Sequence, residues 1–73
     1  MKEYLVIYER GPHSWGAYSP DVPGCIAVAK TREEVERNFQ EALEFHLEGL
    51  QLEGLTIPES TFDAGRVAVA VAA

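Results

Sequence analysis

The sequence predicts an α+β fold in the order β-β-β-α-β: an antiparallel-rich sheet with one long helix packed on one face. Three observations carry this. Short runs of β-branched and aromatic residues, separated by turn formers, fill the chain up to Ala29. A capped apolar stripe at spacings of three and four follows from Thr31. A strictly alternating valine/alanine run comes last.

Residues 4–9 (Tyr-Leu-Val-Ile-Tyr-Glu) have the side chains of a strand, and Gly11-Pro12-His13-Ser14 ends it with turn chemistry. Residues 15–19 (Trp-Gly-Ala-Tyr-Ser) return as the second arm of a hairpin. Pro20-Asp21-Val22-Pro23-Gly24 is a dense turn. Its prolines fix φ, Asp21 can bond the backbone two residues on, and Gly24 can take positive φ. Residues 25–29 (Cys-Ile-Ala-Val-Ala) form the third strand. Thr31-Arg32-Glu33-Glu34 is a capping box, in which the Thr31 hydroxyl accepts from the amide of Glu34 and the Glu34 side chain reaches back to the Thr31 amide. Val35, Phe39, Ala42, Leu43, His46, Leu47 and Leu50 then share one helix face, and Gly54 is the better C-terminal stop. A helix over residues 32–53 is roughly 33 Å long. Residues 58–65 read as a loop. Residues 66–72 read as a last strand with valines on one face and alanines on the other.

Seventy-three residues make one domain, 1–73, and a chain this short buries only roughly 60% of its unfolded surface. Small domains compensate with disulfides, metals or partners. Cys25 is the lone cysteine, and His13 and His46 show no ligand spacing with it, so no disulfide, metal site or cofactor is expected. Association is left, as a homo-oligomer (dimer or larger) or with another protein. The first strand is apolar on both faces, and so is the last, whereas a sheet covered on one side should alternate apolar and polar. A second layer from another molecule is therefore expected. Twelve acidic against six basic residues give a net charge of −6, which disfavours direct nucleic-acid binding and favours a basic partner. No run reaches the ~20 apolar residues of a membrane span, and no signal-peptide core follows Met1. With a single free thiol, these features point to the cytoplasm.

The turn Pro20-Asp21-Val22-Pro23-Gly24-Cys25, the helix opening Thr31-Arg32-Glu33-Glu34, Glu41-Ala42-Leu43 within the helix and the exit Gly54-Leu55-Thr56-Ile57-Pro58 occur in an order and spacing that resemble HicB-like antitoxins. The resemblance covers residues 4–58, with the last strand plausible. Val35 stands where many members have alanine. The resemblance implies a truncated ribonuclease-H-like fold that binds and blocks a small basic RNA-cleaving toxin of the HicA type. Complete antitoxins of this kind carry a C-terminal DNA-binding segment. The sequence stops at Ala73, so operator binding is not carried over. The toxin-binding reading has an alternative: a stand-alone homo-oligomeric structural or regulatory module without a toxin.

A catalytic reading would choose Cys25, His46 and Asp21. A lone cysteine at a strand start is more often a small buried hydrophobe, and a histidine in an apolar stripe a core residue. No carboxylate cluster suggests metal-dependent nuclease chemistry. The expectation is a binding module, not an enzyme. Its candidate partner-binding residues are Trp15 and Tyr18, aromatic anchors on opposite strand faces; Asp21, which turn chemistry also explains; and Glu33, Glu36 and Glu44 on the acidic helix surface.

Overall fold

The computed structural model describes residues 1–72. Three short strands precede one helix: β1 (Ile7–Arg10), β2 (Trp15–Tyr18), β3 (Ile26–Ala29) and α1 (Arg32–Leu52). The sheet is antiparallel throughout, in the order β1-β2-β3. The α+β class and the first four elements match the sequence reading, with strands one or two residues shorter than the apolar runs and β1 starting three residues later. Residues 4–6 are half-buried but lie before the paired part of β1.

Register decides which side chains share a face. Tyr8 pairs with Ala17 and Ala17 with Ala27, while Trp15 pairs with Ala29; this face meets the helix. Ile7 pairs with Tyr18 and Tyr18 with Ile26 on the other face. The core is Ala17, Val22, Cys25, Val35 and Phe39, all buried, with Tyr4, Val6, Tyr8, Trp15, Ala42 and Leu43 packed around them. Burial of this size supplies most of the driving force for folding. The small Ala17, Ala27 and Ala29 leave room for the helix to sit against β2 and β3. The helix packs on β3 and β2 and hardly on β1, so the sheet is covered unevenly.

The helix ends behave much as the sequence reads. Thr31 is extended, and its Oγ1 accepts from the Glu34 amide at 3.1 Å. The Glu34 carboxylate accepts from the Thr31 hydroxyl at 3.2 Å instead of from the Thr31 amide. At the other end, the Leu55 amide bonds the Leu50 carbonyl at 2.8 Å and the Gly54 amide the Gln51 carbonyl at 3.0 Å, a Schellman turn. It needs Gly54 at φ 74°, left-handed backbone that a Cβ would disfavour. Gly24 has φ 88° in the turn before β3, as its sequence context suggests.

The last strand is the correction. Residues 66–72 pair with no strand of their own chain, and Val67, Val69 and Val71 are 74–85% exposed. Alternation makes a segment compatible with a sheet, but only a neighbouring edge with free backbone groups makes it a strand. The chain leaves α1, is held by the Tyr4 hydroxyl donating to the Pro58 carbonyl at 2.6 Å, and passes the β2–β3 turn before residue 66. The radius of gyration is 14.9 Å, against about 11 Å for a compact chain of this length. The long dimension of 54 Å likewise exceeds the roughly 32 Å of the helix, because the last residues run out from the body.

Candidate partner interface

Two exposed surfaces and one edge stand out. The first is the solvent side of α1. At 100° per residue, Glu33, Glu34, Glu41, Glu44 and Glu48 fall within an arc of about 100°, opposite the stripe containing Val35 and Phe39. All five are exposed, and Arg37 is the one basic residue within the arc. Glu33, Glu41, Glu44 and Glu48 form no ion pair among the described residues. Glu36 lies off the arc, toward β1, where its carboxylate accepts from Arg32 at 2.6 Å. Glu33 and Glu44 therefore share a surface, and Glu36 belongs to its flank.

The second surface is the sheet face away from the helix. Tyr18 is 37% exposed there, beside Ile26 at 69% and Val28 at 63%. A sheet with a bare apolar face is what the sequence's two-sided first strand anticipates. Ile26 and Val28 were not among the expected interface residues, although the alternation of large and small side chains in Ile26-Ala27-Val28-Ala29 carries the signal. Trp15 lies on the opposite, helix-facing side, half-buried against the core. Trp15 and Tyr18 thus fall on opposite faces, as their spacing in a strand dictates.

The edge is that of β1. A cleft of about 550 Å³ runs beside Val6, Ile7, Tyr8 and Arg10, and is also lined by Trp15, Arg32 and Arg66. Three of the six basic residues meet there. The Arg32 guanidinium lies 3.4 Å from the centre of the Tyr8 ring, a cation–π contact. Nothing in the spacing of Arg10, Arg32 and Arg66 announces this grouping, which is created by the return of the chain after α1.

Asp21 is engaged within the chain. Its carboxylate accepts from the Thr61 hydroxyl at 2.6 Å, the Thr61 amide at 3.0 Å and the Phe62 amide at 3.3 Å, instead of bonding the backbone two residues on. The Thr61 hydroxyl holds its pKa below the usual aspartate value; partial burial opposes this, and the two amides add to it. Asp21 thereby fastens the segment after the helix to the turn before β3.

The residues of the catalytic reading do not form a site. Cys25 is buried in the core, and burial raises its thiol pKa, so it stays a protonated thiol. His46 is half-buried, seven residues beyond Phe39 on α1, and does not join the core cluster around Cys25. Among the described residues no group of three or more His, Cys, Asp or Glu side chains could hold a metal ion. No helix of the described residues is long and apolar enough to cross a membrane.

A three-stranded sheet with one helix, an acidic helix surface and an open sheet face define a small α+β domain built around surfaces. The chain belongs to the HicB-like antitoxin family of bacterial toxin–antitoxin systems, whose model matches residues 4–68. It is also similar to a protein of Haemophilus phage HP1 (strain HP1c1), the "uncharacterized 14.9 kDa protein in rep-hol intergenic region". The two are 33% identical over 57 residues, which is 78% of this chain and 43% of the phage protein. The chain thus spans less than half the length of that relative. No solved structure gives a significant match.

Proposed function

We propose that the chain is a non-enzymatic antitoxin domain that neutralises a small, basic, RNA-cleaving toxin of the HicA type in the cytoplasm. The acidic arc of α1 carries this reading. Carboxylates at Glu33, Glu41, Glu44 and Glu48 are exposed and form no ion pair among the described residues, so they are available to a basic surface. Membership of an antitoxin family supplies the class of partner. A protein that cuts RNA must present cations to phosphates, and an acidic domain seated on those cations occludes them both sterically and electrostatically. Tyr18, with Ile26 and Val28 beside it, offers an apolar anchor on the other side of the domain.

The reading predicts a small basic protein encoded beside this chain, and the test is titration with that protein, read as binding and as protection of RNA. Binding that weakens with salt, and weakens further when Glu41 and Glu44 are replaced by lysine, supports the reading. Binding insensitive to both, or no binding, refutes it. The bare sheet face favours a second reading, a homo-oligomeric module without a toxin. Its mark is a stable assembly of the purified chain that leaves no basic protein bound.

A further inference from the structure

We propose that residues 66–72 are a donor strand that pairs with the outer edge of β1 in a second copy of this chain, the two copies exchanging these segments reciprocally. The inference rests on the fold and is independent of the toxin reading.

The donor has the chemistry of a strand and no use for it in its own chain. From Val67 to Ala72 it contains no glycine, proline or charge, and its valines stand almost fully in solvent. An exposed, regularly alternating apolar segment is a template for pairing. The acceptor is equally unfinished. Strand order makes β1 an edge, and the cleft beside it follows the backbone from Val6 to Arg10. The helix sits over β2 and β3, so the side of α1 nearest β1 is open, with a second cleft of about 400 Å³ between Tyr4, Val6 and Tyr8 of the sheet and Phe39 and Leu43 of the helix. A strand added at β1 would extend the sheet beneath this side, and its valines would lie next to Val6 and Tyr8. The edge of β3 lacks this need, because the helix already covers that side.

Chain path explains why the donor does not serve its own sheet. Pro58 is fixed at Tyr4, before β1, and Arg66 lines the cleft beside Tyr8 and Arg10. Residues 58–66 therefore run from Tyr4 to the β1 cleft, and residues 67–72 follow beyond it with their valines mostly in solvent. A second copy offers the same edge in a position the segment can reach. Reciprocal exchange uses both donors and both edges and closes with two-fold symmetry, leaving no free strand to propagate.

The experiment is light scattering coupled to size exclusion across the micromolar range, with hydrogen exchange on the same samples. The intact chain is expected at twice its 8.1 kDa mass, with the amides of residues 67–71 protected only in the dimer. Val69→Pro removes one donor from the middle of each exchanged strand and should weaken association at least about tenfold. The helical signal of α1 in its circular dichroism should persist, because Val69 is 74% exposed and lies outside the core. Val69→Ile should keep the dimer. A monomer throughout the range overturns the proposal. So does a dimer indifferent to Val69→Pro, which would place the contact on the face of Tyr18, Ile26 and Val28. Protection of residues 67–71 in a monomer also overturns it, since the segment would then be folding onto its own β1.

Discussion

Truncating Phe39 tests the placement of α1, on which every surface described above depends. The ring is 1% exposed and shares the core with Val35, Val22, Ala17 and Cys25. Phe39→Ala removes a buried ring and leaves a void that short strands and a long helix cannot collapse around, at about 3–5 kcal/mol. A chain of 73 residues has a total stability of only about 4–11 kcal/mol, so this is a large share of it. Each kcal/mol moves the midpoint of a domain this size by about 4–8 °C, so a fall of at least about 12 °C, or outright unfolding, is expected. Phe45 is the control. It is six residues further along the same helix and 79% exposed, so Phe45→Ala should change stability by no more than about 0.5 kcal/mol. Urea unfolding at low protein concentration, followed by Trp15 fluorescence and circular dichroism, measures both. A cost for Phe45→Ala equal to or above that for Phe39→Ala would mean that α1 presents its other side to the sheet. The acidic arc would then face inward, and the partner-binding argument built on it would fail.

Three further outcomes follow from local geometry. Asp21→Asn should release the segment after α1, seen as faster hydrogen exchange at Thr61 and Phe62 with the core amides unchanged. In the parent chain the same release should occur on acidification. Because the folded Asp21 carboxyl has a depressed pKa, its contribution is complete above the ordinary aspartate pKa and is lost as pH falls through the lower folded value. Protection of Thr61 that is indifferent to both pH and Asp21→Asn would remove the carboxylate from this role. The Cys25 thiol should react slowly with a disulfide reagent in the native state and fast in denaturant, because it is buried and protonated; rapid native reaction would reopen a nucleophilic role. At the helix ends, Thr31→Ala and Gly54→Ala should each cost about 1 kcal/mol, the first by freeing the Glu34 amide and the second by forcing a Cβ into left-handed backbone.

Much of the local structure is written in the order of residues. The capping box at Thr31, the apolar stripe through Val35 and Phe39, and the stop at Gly54 determine α1, because caps and periodicity act within a few residues of one another. The β-branched runs and the turn ending at Gly24 determine the three strands, and spacing in β2 already puts Trp15 and Tyr18 on opposite faces. The acidic arc is likewise a matter of helical spacing, and the two-sided apolarity of the first strand already asks for a further layer. What the tertiary structure decided are the contacts between distant parts of the chain. It placed the helix on the face of Tyr8, Ala17 and Ala27, gave Asp21 to Thr61 and Phe62 instead of to its own turn, and gathered Arg10, Arg32 and Arg66 at the β1 edge. It also left residues 66–72 unpaired, although their alternation is the most regular in the sequence. Alternation records only how a segment would sit in a sheet. Whether an edge lies within reach depends on how the whole chain is routed, and here residues 66–72 are left unpaired with their valines mostly in solvent.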